Sequence, residues 1–442
     1  MPALEALYEA HLKILRSRMD AALAACGFDA AAIHSGRLWM QFLDDQPYPF
    51  KVNPHFKTWV PLVDAPDCWL LYQPGKPLHL LFLQPDDYWH KPPQLPSGHW
   101  TSHFNLSVIR DPAEARAYIA RLPNCALIGE WQADYIEWGI AAGNPNPLLD
   151  RLHYPRAIKT AYELECMRQA SLRAARGHQA AEAAFRNGGS EYEIHLAYLR
   201  ATGHTDNTLP YPNIVALNAN SAVLHYQHLE SQSPPPTLSF LIDAGAEVAG
   251  YASDVTRTYS TADDEFRELI GGMERLQLAL CDEVRSGTDY ADIHLSAHRR
   301  IAALLRESDI ISASPDDAVA SGLSSVFFPH GIGHLLGLQV HDVAGFAVNE
   351  EGRQKARPPG HPYLRLTRTL EPGFVVTIEP GLYFIDSLLA QARKAAFAGD
   401  INWKQVERFR PFGGIRVEDD VACTAGAPEN LTRDAFATLS RT

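Results

Sequence analysis

A chain of 442 residues is longer than one compact core usually holds, so two domains are expected. Its 46% apolar and 21% charged residues are those of a water-soluble globular protein, and a formal net charge of −13 argues against nucleic acid or an anionic membrane as the main partner. The six cysteines are scattered with no Cys-x-x-Cys pair, which excludes a thiolate zinc site or a disulfide framework and fits a reducing cytoplasm.

In chain order, residues 4–25 read as an amphipathic helix ending near Gly27, with charges that a signal peptide would lack. Ala30–Ile33 reads as a strand. Residues 68–72 and 78–83 read as a hairpin around Pro74-Gly75-Lys76-Pro77. A helix over 113–122 and a buried strand over 126–129 complete an α/β pattern. The aromatic residues Trp39, Tyr48, Phe50, Phe56 and Trp59 suit either a core or a surface that meets a second subunit. The proline-rich zone around Asn144–Pro147 and Pro155 places a domain boundary near Arg156, dividing the chain into 1–156 and 157–442.

Thr160, with Glu163 three residues on, predicts a capping box opening a helix to Phe185. A second helix is expected over 192–202. Strands are expected at 238–242, 248–259, 374–378 and 415–423, with helices at 265–285 and 290–306 and a charged insertion at 387–412. No uninterrupted apolar run reaches membrane-spanning length.

The densest chemical signal is the stretch from Phe328 to Asp342, where His330, His334 and His341 lie among glycines and apolar residues. Its glycines disfavour an ordinary helix and predict a tight loop that aims imidazoles into a site. Four carboxylates sit at the ends of, or within, apolar strand-like runs: Asp243, Asp254, Glu379 and Glu418. Period two puts Arg416 and Glu418 on one face, and Asp254 with Thr256. Buried carboxylates need compensation, and few basic residues flank them. Two divalent ions balance four carboxylates, and neutral His334 completes an oxygen-rich set suited to Mn²⁺ first, with Co²⁺ or Zn²⁺ as alternatives. Such a pair holds a water and lowers its pKa, which implies hydrolysis without a Ser or Cys nucleophile.

The order Asp243, Asp254, His334, Glu379, Glu418 resembles the pita-bread metalloaminopeptidase family, which includes methionine aminopeptidase, aminopeptidase P, creatinase and prolidase. The 330–342 segment, the Ile158–Glu165 lead-in and Asp254-Val255-Thr256-Arg257-Thr258 carry that resemblance. Phe42-Leu43-Asp44-Asp45, Phe50–Pro54 and Phe384–Ser387 resemble its bacterial Xaa-Pro dipeptidase subgroup, close to organophosphorus acid anhydrolase.

The resemblance implies an α+β fold: an α/β N-terminal domain followed by a pita-bread catalytic domain. It implies a homodimeric enzyme that cleaves Xaa-Pro dipeptides. Asp243, Asp254, His334, Glu379 and Glu418 would be the metal ligands, with Glu379 also the general acid and base. His225 and His341 would steady the substrate carbonyl, and His330 would wall the pocket. Arg416 with Arg365 or Arg368 would bind the proline carboxylate, and Tyr290 and Tyr211 would line the site. The alternatives are an aminopeptidase P acting on longer peptides, hydrolysis of phosphotriesters, and a non-catalytic binding module of the same fold.

Overall fold

The computed structural model describes residues 2–441, which form two compact units. The first comprises the chain to Cys166 with the short returns Val248–Tyr251 and Asn349–Arg353; the remainder forms the second.

The first unit opens with the helix Pro2–Cys26 and is built on a six-stranded sheet. Its strand order is 104–109, 78–83, 69–72, 30–34, 125–128, 140–143. Ala30–His34 lies inside this sheet, parallel to Cys125–Ile128 and antiparallel to Trp69–Tyr72. All five of its residues are buried, which is why Ala30–Ile33 reads as a continuous apolar run. Trp69, Ile119, Tyr135 and Trp138 pack on one face. The aromatic residues expected to act together divide here: Phe56 and Trp59 are buried, whereas Trp39 and Tyr48 are exposed.

One local expectation fails in this unit. The helix foreseen over 113–122 shrinks to a 3₁₀ turn at Pro112–Glu114 followed by Ala115–Ile119. The proline-rich zone starts the helix Asn146–Arg156, with Pro147 in the first turn, where an N–H would have no intrahelical partner anyway.

In the second unit the helices are close to their expected bounds, Ala161–Arg186, Glu191–Thr202, Glu265–Cys281 and Tyr290–Glu307. The second carries a full Ser190–Glu193 capping box and ends at Gly203 in the left-handed region (φ 66°). A three-stranded antiparallel sheet runs in the order 256–260, 239–243, 214–217. Another joins 375–378, 419–422 and 429–430, and Gly381–Tyr383 pairs with Gly414–Arg416.

The strand expected over 415–423 is therefore two strands in two sheets. The break falls at Val417-Glu418, where the Glu418 amide donates to the Thr256 carbonyl (3.0 Å) and the Val417 amide to that of Pro380 (3.3 Å). The run expected over 248–259 forms its ladder with Ser239–Asp243 only through Thr256–Ser260. The insertion carries two short helices, Asp386–Ala392 and Trp403–Phe409.

Candidate metal centre

Strand geometry gathers the carboxylates. Asp243 ends its strand opposite Thr256, and Thr256 bridges in turn to Glu418. The Thr256 hydroxyl donates to Glu418 Oε2 (2.6 Å). Asp254 is held from behind, since its amide donates to the carboxylate of Asp420 (3.1 Å).

The glycine loop is not free-standing. Residues 332–336 run along the strand that delivers Glu379: Thr377 N–H donates to His334 O (3.0 Å), and Glu379 N–H to Ile332 O (2.9 Å). This approach explains Gly333. A Cβ there would lie 2.2 Å from Thr377 O and 2.4 Å from the Tyr290 hydroxyl, and its φ of +152° is one that L side chains rarely adopt.

Nitrogen and oxygen donors converge as a result. One ligand atom each from Asp254, His334 and Glu418 lies within 4.8 Å of the others. His334 Nε2 is 3.5 Å from Asp254 Oδ2 and 3.7 Å from Glu379 Oε1. Its Nδ1 lies 3.0 Å from Leu335 O, which turns Nε2 toward the carboxylates. Asp243 joins the group through Tyr211, whose hydroxyl is 2.8 Å from Asp243 Oδ1 and 2.5 Å from Asp254 Oδ1.

The electrostatics state how well a cation fits. Burial, followed by repulsion from Asp254, Glu379 and Asp243, pushes Glu418 well above the usual carboxylate range. Burial pushes Glu379 up to about 7 against the attraction of His334. Burial likewise raises Asp243, although Arg416 opposes it. Burial also works against ionisation of Asp254, but its hydrogen bond and attraction to His334 prevail and hold it low. Burial opposes charge on His334 too, and Asp254 and Glu379 overcome it and raise its pKa. Burial and mutual repulsion thus favour the neutral forms of Glu418, Glu379 and Asp243. Divalent ions would supply positive charge directly, and carboxylate oxygens with one imidazole suit them.

The centre lies in a cavity of about 670 Å³. Of the residues singled out from sequence, Asp243, Asp254, His334, Glu379, Glu418, His225, His330, His341, Arg365 and Arg416 all line it. Tyr211 touches the carboxylates from outside the lining. Tyr290 is not in the lining: its buried hydroxyl donates to Thr377 O (2.6 Å) beneath Gly333. Arg368 is not in it either; it is buried, donates to Glu371 (3.2 Å) and stacks over Phe374. Arg416 lines the cavity with its guanidinium committed to Asp243 (2.8 Å), the Tyr383 hydroxyl (2.9 Å) and Thr256 (3.3 Å).

His330 Nε2 lies 2.9 Å from the Tyr383 hydroxyl, and burial pushes its pKa down to about 3. His341 stacks edge-on against His334 and is pushed down to about 4, chiefly by burial. Sequence reasoning missed Tyr383, Tyr363 and Arg357. Tyr383 follows Glu379 by four residues, yet nothing in its neighbours marks it as a contact of both Arg416 and His330.

Comparison with known proteins identifies the class. Metallopeptidase family M24 matches residues 165–425, and the chain belongs to that family. It is a metal-dependent peptidase. Residues 6–154 match the family described as Xaa-Pro dipeptidase, N-terminal domain. A protein named Xaa-Pro dipeptidase from Xanthomonas axonopodis pv. citri is 52% identical over 438 residues, covering 99% of each chain. One of the same name from Stenotrophomonas maltophilia is 52% identical over 434 residues, 98% of each. Among solved structures, the Pseudomonas aeruginosa aminopeptidase PepP superposes with a TM-score of 0.73 at 21% identity, covering 98% of this chain and 99% of that one. Zinc-substituted Escherichia coli aminopeptidase P gives 0.70 at 22%, covering 96% and 98%. These likenesses show the fold: an α/β N-terminal domain followed by a pita-bread domain.

Proposed function

We propose that the chain hydrolyses Xaa-Pro dipeptides to a free amino acid and proline, using two divalent ions held by Asp243, Asp254, His334, Glu379 and Glu418. The observation that carries this reading is one cavity holding all five ligands, three further histidines and three arginines. Relatives about half identical along nearly the whole chain carry the dipeptidase name. The boundary near Arg156 falls between the two family matches, 6–154 and 165–425.

Bound ions would supply an acidified water and polarise the scissile carbonyl. Proline's nitrogen bears no N–H, so the bond must be broken without that handle, and its departing nitrogen needs a proton. Glu379 lines the cavity beside the other ligands, where its carboxylate can take a proton from water and deliver it to that nitrogen. His225 and His341 face the cavity as donors to the carbonyl oxygen, and His330 forms its wall. Tyr211 holds Asp243 and Asp254 in place, and Tyr290 fixes the strand behind Gly333.

The proline carboxylate falls to Arg365. Arg416 is already paired with Asp243, and Arg368 is turned to Glu371, whereas Arg365 lines the cavity and is exposed. Mn²⁺ is the first choice of metal because the ligand set is oxygen-rich, with Co²⁺ and Zn²⁺ next. A homodimer is supported by the exposed apolar run Trp39, Met40, Phe42 and Leu43, too large a group to leave in water without use. Six free cysteines agree with a cytoplasmic setting, and no helix among the described residues is long and apolar enough to cross a membrane.

The test is to strip metal with a chelator, return Mn²⁺, Co²⁺ or Zn²⁺ singly, and assay Xaa-Pro, Xaa-Pro-Yaa and a phosphotriester. Mn²⁺-restored cleavage of the dipeptide is expected, with slow phosphotriester turnover as a side reaction. Faster cleavage of the tripeptide would replace the dipeptidase by an aminopeptidase P. No restored activity on any of them would leave a binding module.

A further inference from the structure

The second unit holds another cluster of metal-ligating side chains, and it contains no carboxylate. His294 and His298 are one helical turn apart on Tyr290–Glu307 and present their rings on one face. His361 approaches from the loop that carries Pro362, Tyr363 and Arg365 into the cavity wall. His361 Nδ1 lies 2.9 Å from His294 Nε2. The three ring centroids are 4.6–4.7 Å apart, and one nitrogen from each ring falls within 4.8 Å of the other two. His294 and His298 are each 1% exposed, and His361 is half-buried.

Hydrogen bonding leaves this set short of partners. His294 Nδ1 is buried with no hydrogen-bond partner. His298 Nδ1 lies 2.9 Å from Ser324 Oγ. With Nδ1–H donating to that hydroxyl, His298 keeps the Nε2 lone pair free, as a ligating histidine does when its other nitrogen is held by an outer partner. Burial, then the neighbouring imidazoles, pushes His298 down to about 3 and His294 lower still; burial lowers His361. All three rings are therefore neutral at pH 7 and each carries one lone pair; in the His294–His361 pair one ring's lone pair accepts the other's N–H, and an ion would replace that hydrogen bond.

We propose that His294, His298 and His361 form a second metal site, distinct from the carboxylate centre, that takes a divalent ion favouring imidazole nitrogen, with Zn²⁺ as its probe. Tetrahedral Zn²⁺ with Zn–N of about 2.0–2.1 Å sets ligand nitrogens roughly 3.3 Å apart. The His294–His361 contact needs to open by only a few tenths of an ångström, and half-buried His361 leaves a way in. Three imidazoles without a carboxylate favour Zn²⁺, Co²⁺ or Cu²⁺ over Mn²⁺, the reverse of the oxygen-rich centre. The two sites would therefore sort metals. An ion here would tie the loop bearing Tyr363 and Arg365 to the helix Tyr290–Glu307. Phe328 stands between the two sites, its ring 4.8 Å from both His298 and His330.

The test counts metal rather than turnover, so it does not depend on the peptidase reading. The full chain is loaded with Mn²⁺, titrated with Zn²⁺, desalted, and its total bound metal measured by elemental analysis. Wild type is expected to retain one more ion per chain than His361→Phe, which keeps a ring in place but has no nitrogen. His298→Gln is expected to lose the same ion. Glu418→Gln, which weakens the carboxylate centre, is expected to keep it. Zn²⁺ should raise the melting temperature of wild type above that of His361→Phe. Equal metal content in wild type and His361→Phe overturns the proposal and leaves a hydrogen-bonded packing cluster. So does loss of the extra ion in Glu418→Gln with retention in both histidine variants.

Discussion

Glu418 and Asp419 are neighbours in sequence, both buried to within 2% exposure, and they meet opposite fates. Glu418 faces Asp254, Glu379 and Asp243, and its pKa is driven up by burial and then by those charges. Asp419 points the other way, to Arg257 (2.7 Å), Arg433 (2.8 Å) and Asn430 (2.9 Å). Burial opposes its charge as well, but Arg257 and then Arg433 overcome it and hold Asp419 below the usual carboxylate range. Asp419, answered by two arginines and an asparagine, is finished as structure. Glu418, faced by three other carboxylates, is poised to take a cation.

The contrast is sharpest under metal removal. Chelation should abolish dipeptidase activity in wild type, and Mn²⁺ should restore it there and not in Glu418→Gln. Full recovery in Glu418→Gln would mean that Glu418 is as structural as its neighbour. Next in size, Glu379→Gln should lower kcat/KM on an Xaa-Pro dipeptide by about 10²–10⁴-fold, the range for a lost proton-transfer group. Its metal-free melting temperature should hold or rise, because one of the repelling carboxylates is gone. A loss below tenfold would remove Glu379 from the chemistry.

Asp419→Ala should do the reverse. It leaves Arg257 without its buried partner and should cost about 3–5 kcal/mol of stability in denaturant unfolding, the scale for breaking a buried ion pair. Intact stability would break the comparison from the structural side. A smaller effect is expected at the cavity wall. Arg365→Ala should raise KM for dipeptides by about tenfold, the scale of one charge-assisted hydrogen bond, with kcat changed less. An equal effect from Arg368→Ala would contradict its placement against Glu371.

A last effect is a pH dependence of stability behind the site. His178 is buried against Ala244 O and pushed down to about 3, chiefly by burial, whereas an unfolded histidine titrates near 6.5. Between those values the unfolded chain binds the extra proton. Stability is therefore fully present above about pH 6.5 and falls as the pH drops, by at most about 1.4 kcal/mol per pH unit from this group. Asp419, held low, adds its own loss once the pH falls below about 4. Melting curves from pH 7 to 4 should show the first slope in wild type and a shallower one in His178→Asn. Equal slopes would assign the loss to other groups.

The sequence by itself determined much of this protein, because much of it is local. Strand-end carboxylates, the Thr160–Glu163 start of a helix, and the glycines around His334 are legible within a few residues, where periodicity and capping act. The resemblance carried by the order of five ligands pointed to the family to which the chain belongs.

Only the tertiary structure separated Glu418 from Asp419, because their partners come from elements far away in the chain. It turned Arg368 and Tyr290 away from the cavity and committed Arg416 to Asp243. It also split the strand expected over 415–423, since Thr256 and Pro380 take the backbone bonds of Glu418 and Val417. It brought His361 to His294 and His298, a meeting that no local spacing encodes. Charge compensation and long-range pairing depend on distance in space, and one-dimensional pattern does not carry that distance.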